Sequence, residues 1–183
     1  MVIARALVIA YLRALKIQHL NKITMAKANV YYGSTTGTCE DLAGRIAAAL
    51  GTEAKNVTDF GEDAADCDLL VLGTSTWGAG ELQDDWYGAI DTLKGLALSG
   101  KKVAIFGCGD SASYPDTFCG GMKALYDAAV QAGATVVGAV DASGYDYSDS
   151  EAVVDGKFVG LALDEMNEPD KTDERIAAWI STL

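Results

Sequence analysis

Histidine is nearly absent from this chain, and cysteine is sparse and scattered. The 183 residues contain one histidine, His19, and four cysteines, Cys39, Cys67, Cys108 and Cys119, without CxxC spacing. A zinc site needs several such ligands close together, so the sequence argues against one. Scattered cysteines beside strands and turns are typical of reduced, buried thiols, which predicts a cytosolic protein.

Proline is also rare, and basic residues are outnumbered. With two prolines, no long Pro/Gly-rich linker and no repeat, the chain is expected to form one domain with a substantial core. Its 14 basic and 26 acidic residues give a net charge of −12. This charge argues against a nucleic-acid partner. It either favours docking to basic faces of other proteins or serves only solubility.

Acidic residues are missing from residues 1–24, which combine four basic residues with many aliphatic ones. Arg13 and Lys16 interrupt the apolar run too early for a signal peptide or a membrane-spanning helix. We predict an extension at residues 1–24, outside a domain at residues 25–183 that carries ten basic and all 26 acidic residues, a net charge of −16. An amphipathic helix on a membrane surface is the alternative, although no stable membrane association is expected.

What the chain does contain is an alternation of short apolar runs and helical patterns. Near-continuous apolar runs are typical of strands that are buried on both faces. They cover residues 28–32, 54–57, 68–73, 102–107, 134–140 and 158–163. Apolar residues at three- and four-residue spacing predict helices at residues 39–50, 82–93, 119–132 and 172–183. This order predicts an open, doubly wound α/β domain, with helices on both faces of a parallel sheet.

In such a sheet, ligands bind beyond the carboxyl ends of the strands, which selects the loops at residues 33–39, 74–85 and 107–118. The first loop contains five hydroxyl or thiol side chains, two glycines and no lysine or arginine. These donors, next to a helix N-terminus, predict a site for a single phosphate ester. The missing lysine distinguishes the loop from the nucleoside-triphosphate motif GxxxxGK[ST]. A plain helix start capped by Thr36 or Thr38 is the alternative.

Each of the other two loops contributes an aromatic side chain. Trp77 lies among glycines in the second loop, and Tyr114 follows Gly109 and Asp110 in the third. Taken singly, each aromatic is more often a core or rim residue. Beside a phosphate loop, the two together predict a ligand with one phosphate and a planar ring that the aromatics cover.

Four blocks of sequence resemble a flavodoxin of the long-chain type, a family that binds flavin mononucleotide (FMN). The blocks are Gly33-Ser-Thr-Thr-Gly-Thr38, Thr76-Trp77 with Gly80-Glu-Leu-Gln83 and Trp86, Gly107-Cys-Gly-Asp110 with Tyr114, and Gly144-Tyr-Asp-Tyr147 followed by residues 156–165. The resemblance extends from about Lys27 to the C-terminus. It implies a flavodoxin-like, five-stranded parallel sheet of order 2-1-3-4-5, whose fifth strand is interrupted by an extra segment.

The resemblance also implies a role for each matching residue. The first loop would bind the phosphate, the two aromatics would enclose the ring, and their neighbours would contact the ribityl chain and the pyrimidine edge. The cofactor-binding residues implied in this way are Ser34, Thr35, Thr36, Gly37, Thr38, Cys39, Thr76, Trp77, Gly78, Cys108, Gly109, Asp110 and Tyr114. Cys39 departs from the family, which usually has serine or threonine there. Because a thiol is a weaker donor, somewhat weaker phosphate affinity is expected.

The implied function is that of a low-potential, one-electron carrier between redox proteins, without substrate turnover of its own. The redox partners, a reductase and an acceptor, would dock through basic faces onto a monomer. Asp110, the acidic domain and the covering aromatics should disfavour further negative charge on the reduced flavin, which lowers its potential. Glycine at position 78 would let the Gly78–Ala79 carbonyl turn toward flavin N5 and stabilise the one-electron-reduced state.

Three alternatives belong to other classes. An FMN-dependent quinone or nitro-reductase would share the fold but needs an open pocket above the ring, which Tyr114 would cover. A signalling receiver domain needs paired acids after the first strand, where this chain has Gly33 and Ser34. A non-redox flavin-binding module stays open on sequence alone.

Overall fold

The fold is built on a parallel sheet that the apolar runs form. A computed structural model describes residues 27–183, and the extension predicted at residues 1–24 lies outside the described residues, so that domain boundary stays a prediction. The strands are β1 (Ala28–Gly33), β2 (Ala54–Asn56), β3 (Leu69–Trp77), β4 (Glu81–Leu82), β5 (Lys102–Cys108), β6 (Thr135–Val137), β7 (Val140–Asp141), β8 (Val153–Val154), β9 (Lys157–Phe158) and β10 (Leu161–Leu163). The α-helices are α1 (Thr38–Ala49), α2 (Ile90–Gly95), α3 (Met122–Gln131) and α4 (Thr172–Ile180).

The main sheet has the order β2-β1-β3-β5-β10, and all of these neighbours pair in parallel. Two segments share the fifth position: β6 pairs with residues 102–104 of β5, and β10 pairs with residues 106–108. The chain between them forms a small antiparallel sheet, β7-β9-β8. The predicted doubly wound fold with strand order 2-1-3-4-5 and an interrupted fifth strand is therefore confirmed.

Side chains of the central strand β3 alternate between two cores, one on each face of the sheet. Leu70 and Leu72 face the core that includes Leu93 of α2 and Leu125 of α3. Leu69 and Val71 face the core that includes residues of α1 and α4. Burying one such side chain stabilises the fold by roughly 1.5–3 kcal/mol. Among residues 27–183, no helix has the length and apolar character needed to cross a membrane.

The helix predicted at residues 82–93 is wrong over its first two thirds, residues 82–89. Leu82 belongs to β4 and pairs with Thr76 of β3, and residues 84–88 form a 3₁₀ turn. The α-helix therefore begins only at Ile90. The side chain of Gln83 accepts a hydrogen bond from the backbone N–H of Asp85, which caps this separate turn. The apolar spacing resembles that of a helix because Leu82, Trp86, Ala89 and Leu93, three or four residues apart, are all buried in the core.

Three other boundaries differ from the predictions, two of them at a residue with positive φ. Gly138 has φ of 78° and divides the run at residues 134–140 into β6 and β7. Cys119 has φ of 54°, and α3 starts after it, at Met122 rather than at residue 119. The run at residues 158–163 is shared between β9 and β10, which belong to different sheets.

Candidate functional site

A cleft of about 300 Å³ opens at the carboxyl ends of β3 and β5. It brings together residues from all three of the loops that the sequence selected. The predicted site residues that line it are Thr36, Thr38, Thr76, Trp77, Gly78, Cys108, Gly109, Asp110 and Tyr114. The others, Ser34, Thr35, Gly37 and Cys39, belong to the loop and helix start beside Thr36 and Thr38 but do not line the cleft.

The loop between β1 and α1 ends in a helix N-terminus that has no side-chain cap. Gly37 occupies the N-cap position with φ of 92°, so the alternative of a cap by Thr36 or Thr38 is not what the fold uses. Within residues 27–183, the N–H of Gly37 bonds to Ser34 Oγ over 3.2 Å, but those of Thr36 and Thr38 have no partner. Unpaired N–H groups at a helix N-terminus attract anions.

Trp77 stands at the end of β3, on a hairpin formed with β4. The Gly80 N–H donates to the Trp77 carbonyl over 3.1 Å, which closes a tight turn in which Gly78 has φ of 52°. The Trp77 indole N–H donates to Ser75 Oγ over 2.9 Å and fixes the ring, which remains 41% exposed. A large aromatic held in place but left exposed can cover a flat ligand.

The loop after β5 carries Tyr114, which is 62% exposed at the cleft. A backbone turn closes this loop, because the Tyr114 N–H donates to the Asp110 carbonyl over 2.9 Å. Asp110 Oδ1 accepts from the side chain of Asn167 at 2.9 Å and from the Ser113 N–H at 3.0 Å. These bonds lower the pKa of Asp110, and the bond from Asn167 has the largest effect. The cleft therefore contains a carboxylate that remains ionised in mild acid.

The side chain of Cys39 lies away from the cleft. Its side chain is fully buried in the core under the loop, next to Cys108, rather than in the cleft. Burial raises the pKa of the Cys39 thiol well above its usual range, and the neighbouring Cys108 thiol acts in the same direction. The buried thiol does not line the cleft, so the backbone N–H of Cys39 is the group we expect to face a phosphate, and the weaker phosphate affinity stays a prediction.

Six residues that line the cleft were missed in the sequence: Ser75, Thr117, Phe118, Cys119, Glu165 and Met166. Glu165 and Met166 follow β10, whose carboxyl end meets the same edge of the sheet as those of β3 and β5. The rule that selected the other three loops applies equally to this fourth one. It provides the signal that would have found these two residues.

Comparisons with known proteins agree with this architecture. Residues 30–179 match the model of the flavodoxin family. A flavodoxin from a Picosynechococcus species is 43% identical over 164 residues, 87% of this chain and 96% of that protein. Flavodoxin 1 from Azotobacter vinelandii is 41% identical over 167 residues, again 87% and 96%.

A solved structure of similar shape is a Fusobacterium nucleatum flavodoxin bound to flavin mononucleotide. It has a TM-score of 0.81 and 32% sequence identity, and the match covers 85% of this chain and 95% of the other. The family match extends over most of the described domain and includes the loops that form the cleft. The chain belongs to the flavodoxin family.

Proposed function

We propose that this chain binds FMN in the cleft and carries single electrons at low potential between redox proteins. The observation that carries the proposal is the cleft itself, where exposed Trp77 and Tyr114 lie beside an uncapped helix N-terminus with a hydroxyl-rich loop. Bound FMN would supply the redox chemistry, and the chain would bind, orient and shield it.

The first loop fits a phosphate ester. The N–H groups of Thr36, Thr38 and Cys39 have no partner within residues 27–183, and the positive end of the α1 dipole adds to them. The hydroxyls of Ser34 and the neighbouring threonines supply further donors. Binding through neutral groups would leave the negative charge of the site uncompensated by lysine or arginine.

The other two loops fit a planar ring. Trp77 and Tyr114 would cover its faces, the backbone near Gly78 and Gly109 would contact its polar edge, and Thr76 would contact the ribityl chain. Both aromatics would keep water from the ring, and ionised Asp110 faces the same cleft. A negative charge that develops on the reduced cofactor would be poorly solvated and repelled, so the second electron is added at low potential.

Acidic side chains around the cleft support docking to basic faces of redox partners. Glu165 lines the cleft, and exposed aspartates lie on the loops next to it: Asp84, Asp85, Asp116, Asp146 and Asp149. Contacts between exposed charges steer association and are screened by salt, so docking is weak and brief. We further propose a monomer located in the cytoplasm, and the four free, buried cysteines support the location.

The visible spectrum of the purified protein during stepwise reduction tests this function. Yellow protein that passes through a long-wavelength, one-electron-reduced form and then passes electrons to a second redox protein is the expected result. Protein that takes up no FMN would overturn the proposal. Turnover of NAD(P)H with a quinone or nitro compound would favour a reductase, and stable FMN binding without electron delivery would favour a binding module.

A further inference from the structure

Gln83 is a buried amide between the phosphate loop and the Trp77 hairpin. Gln83 is only 2% exposed, and both polar atoms of its side chain have hydrogen-bond partners. Nε2 donates to Thr35 Oγ1 over 3.2 Å and to Asp85 Oδ2 over 3.1 Å, and Oε1 accepts from the Asp85 N–H at 3.0 Å. A fully satisfied buried amide has one preferred orientation, because every other orientation loses hydrogen bonds.

The packing around Gln83 leaves it little freedom to move. A Cβ atom at Gly33 would lie 2.3 Å from Gln83 Oε1, so the amide lies directly against the backbone at the end of β1. The Gln83 N–H donates to Thr74 Oγ1 over 3.3 Å, which ties its main chain to β3. Gln83 therefore has a fixed position relative to both strands that lead into the cleft.

The phosphate loop, in contrast, has few bonds of its own. Thr35 and Thr36 are exposed, and the local bonds are those from Gly37 N–H to Ser34 Oγ and from the start of α1 to the Gly37 carbonyl. Within residues 27–183, the bond from Gln83 to Thr35 is the one that joins residues 34–37 to another part of the chain. A loop that is ordered before binding avoids the entropic cost of ordering at the moment of binding.

We propose that Gln83 is a positioning residue that holds Thr35, and through it the phosphate loop, in the conformation that binds the phosphate. This inference rests on the proposed function, because it concerns the phosphate end of the same cleft. Gln83 acts through Thr35 and does not line the cleft itself. Gln83 should therefore increase the affinity for FMN, which has a phosphate. It should not change the affinity for riboflavin, which has the same ring without a phosphate.

Dissociation constants of FMN and riboflavin for the wild type and for Gln83→Met test the proposal. Methionine fills a similar volume without donors. Loss of one positioning hydrogen bond, worth about 1 kcal/mol, should weaken FMN binding by about fivefold to tenfold and leave riboflavin affinity unchanged. Amide exchange in the FMN-free protein should become faster at residues 34–39. Gln83→Asn, which shortens the side chain, provides a milder variant if the methionine protein does not fold.

A double-mutant cycle with Thr35→Val separates this role from general support of the hairpin. If Gln83 acts through Thr35, the double variant binds FMN no more weakly than Thr35→Val alone. Thr35→Ser keeps the accepting oxygen, so adding Gln83→Met to that variant should weaken FMN binding as much as it does in the wild type. Equal losses of FMN and riboflavin affinity, or unchanged FMN affinity and unchanged exchange, would overturn the proposal. A wild-type protein that binds no FMN would instead refute the proposed function.

Discussion

The side-chain amide of Asn167 donates to Asp110 Oδ1 over 2.9 Å and thereby joins the loop after β10 to the loop after β5. Buried Asp164, 1% exposed, supports this link, since its carboxylate accepts from the backbone N–H groups of Ser111 at 3.0 Å and of Asn167 at 3.0 Å. The loop that carries Tyr114 is thus held by the last strand of the sheet. Because β10 exists only where the interrupted fifth strand resumes, the extra segment and the loop that carries Tyr114 are structurally connected.

Replacing Asn167 with alanine should raise the pKa of Asp110 toward its ordinary value. The Asn167 amide is the largest cause of the lowered pKa, and the Ser113 N–H would continue to lower it in part. NMR titration of the Asp110 carboxyl group measures this change. FMN and riboflavin affinities should fall together, because the contacts proposed for this loop are with the ring and not with the phosphate. An unchanged Asp110 titration would contradict the role given to this bond.

Replacing Asp164 with alanine should lower the free energy of unfolding. The substitution removes the buried acceptor of three backbone bonds, those from the partly exposed N–H groups of Ser111, Met166 and Asn167. Each lost hydrogen bond costs about 1 kcal/mol, so the free energy of unfolding should fall by roughly 2–4 kcal/mol. Urea unfolding of the FMN-free protein gives the value. Asp164→Asn keeps an accepting oxygen, and a loss as large as that of the alanine variant would contradict this explanation.

Much of this arrangement follows from the sequence, and the exceptions have physical reasons. Apolar runs typical of strands buried on both faces identified the parallel strands. Because ligands bind beyond the carboxyl ends of such strands, three loops of the cleft could then be identified. The position of Gln83 between two loops could not be predicted, because the apolar spacing that follows it resembles that of a helix. The burial of Cys39 depends on the rotation of the first turn of α1, which a Gly37 N-cap at φ of 92° sets and the pattern of residues does not.

Replacing Tyr114 with alanine should weaken FMN binding and raise the potential of the second electron step. The phenol ring is exposed and lines the cleft, so its loss removes a stacking contact worth about 1 kcal/mol and admits water to one face of the ring. Spectroelectrochemical titration measures both potentials. Tyr114→Phe keeps the aromatic face and should match the wild type. A second-step potential that stays unchanged in the alanine variant would show that Tyr114 does not shield the ring.

Stability in alkaline solution should depend on Tyr145. Burial raises its pKa to about 12, its hydroxyl donates to the Ala162 carbonyl over 3.0 Å, and the Arg175 guanidinium lies 4.2 Å from the ring centroid. Since the folded pKa lies above the unfolded value near 10, the stabilisation is complete below pH 10 and is lost as the pH rises toward 12. A shift of this size corresponds to at most about 3 kcal/mol.

Tyr145→Phe should therefore be less stable than the wild type at pH 8 and should lose less stability between pH 10 and 12. Loss of the hydrogen bond to Ala162 accounts for the first effect, about 1 kcal/mol. Loss of the ionisable group accounts for the second. Urea unfolding at a series of pH values follows both, with the same substitution at exposed Tyr87 as the control. Parallel stability curves for Tyr145→Phe and the wild type would contradict the prediction.

Substitutions at Cys39 should change stability and not phosphate affinity. The thiol is fully buried in the core beside Cys108, while the backbone N–H at the start of α1 keeps its position whatever the side chain. Cys39→Ser would bury a hydroxyl in apolar surroundings and should lower the free energy of unfolding by about 1–3 kcal/mol. Cys39→Ala, which leaves a small cavity without a polar group, separates the cost of polarity from that of volume. If Cys39→Ser instead tightened FMN binding without loss of stability, the prediction would be contradicted. The side chain at position 39 would then contact the phosphate.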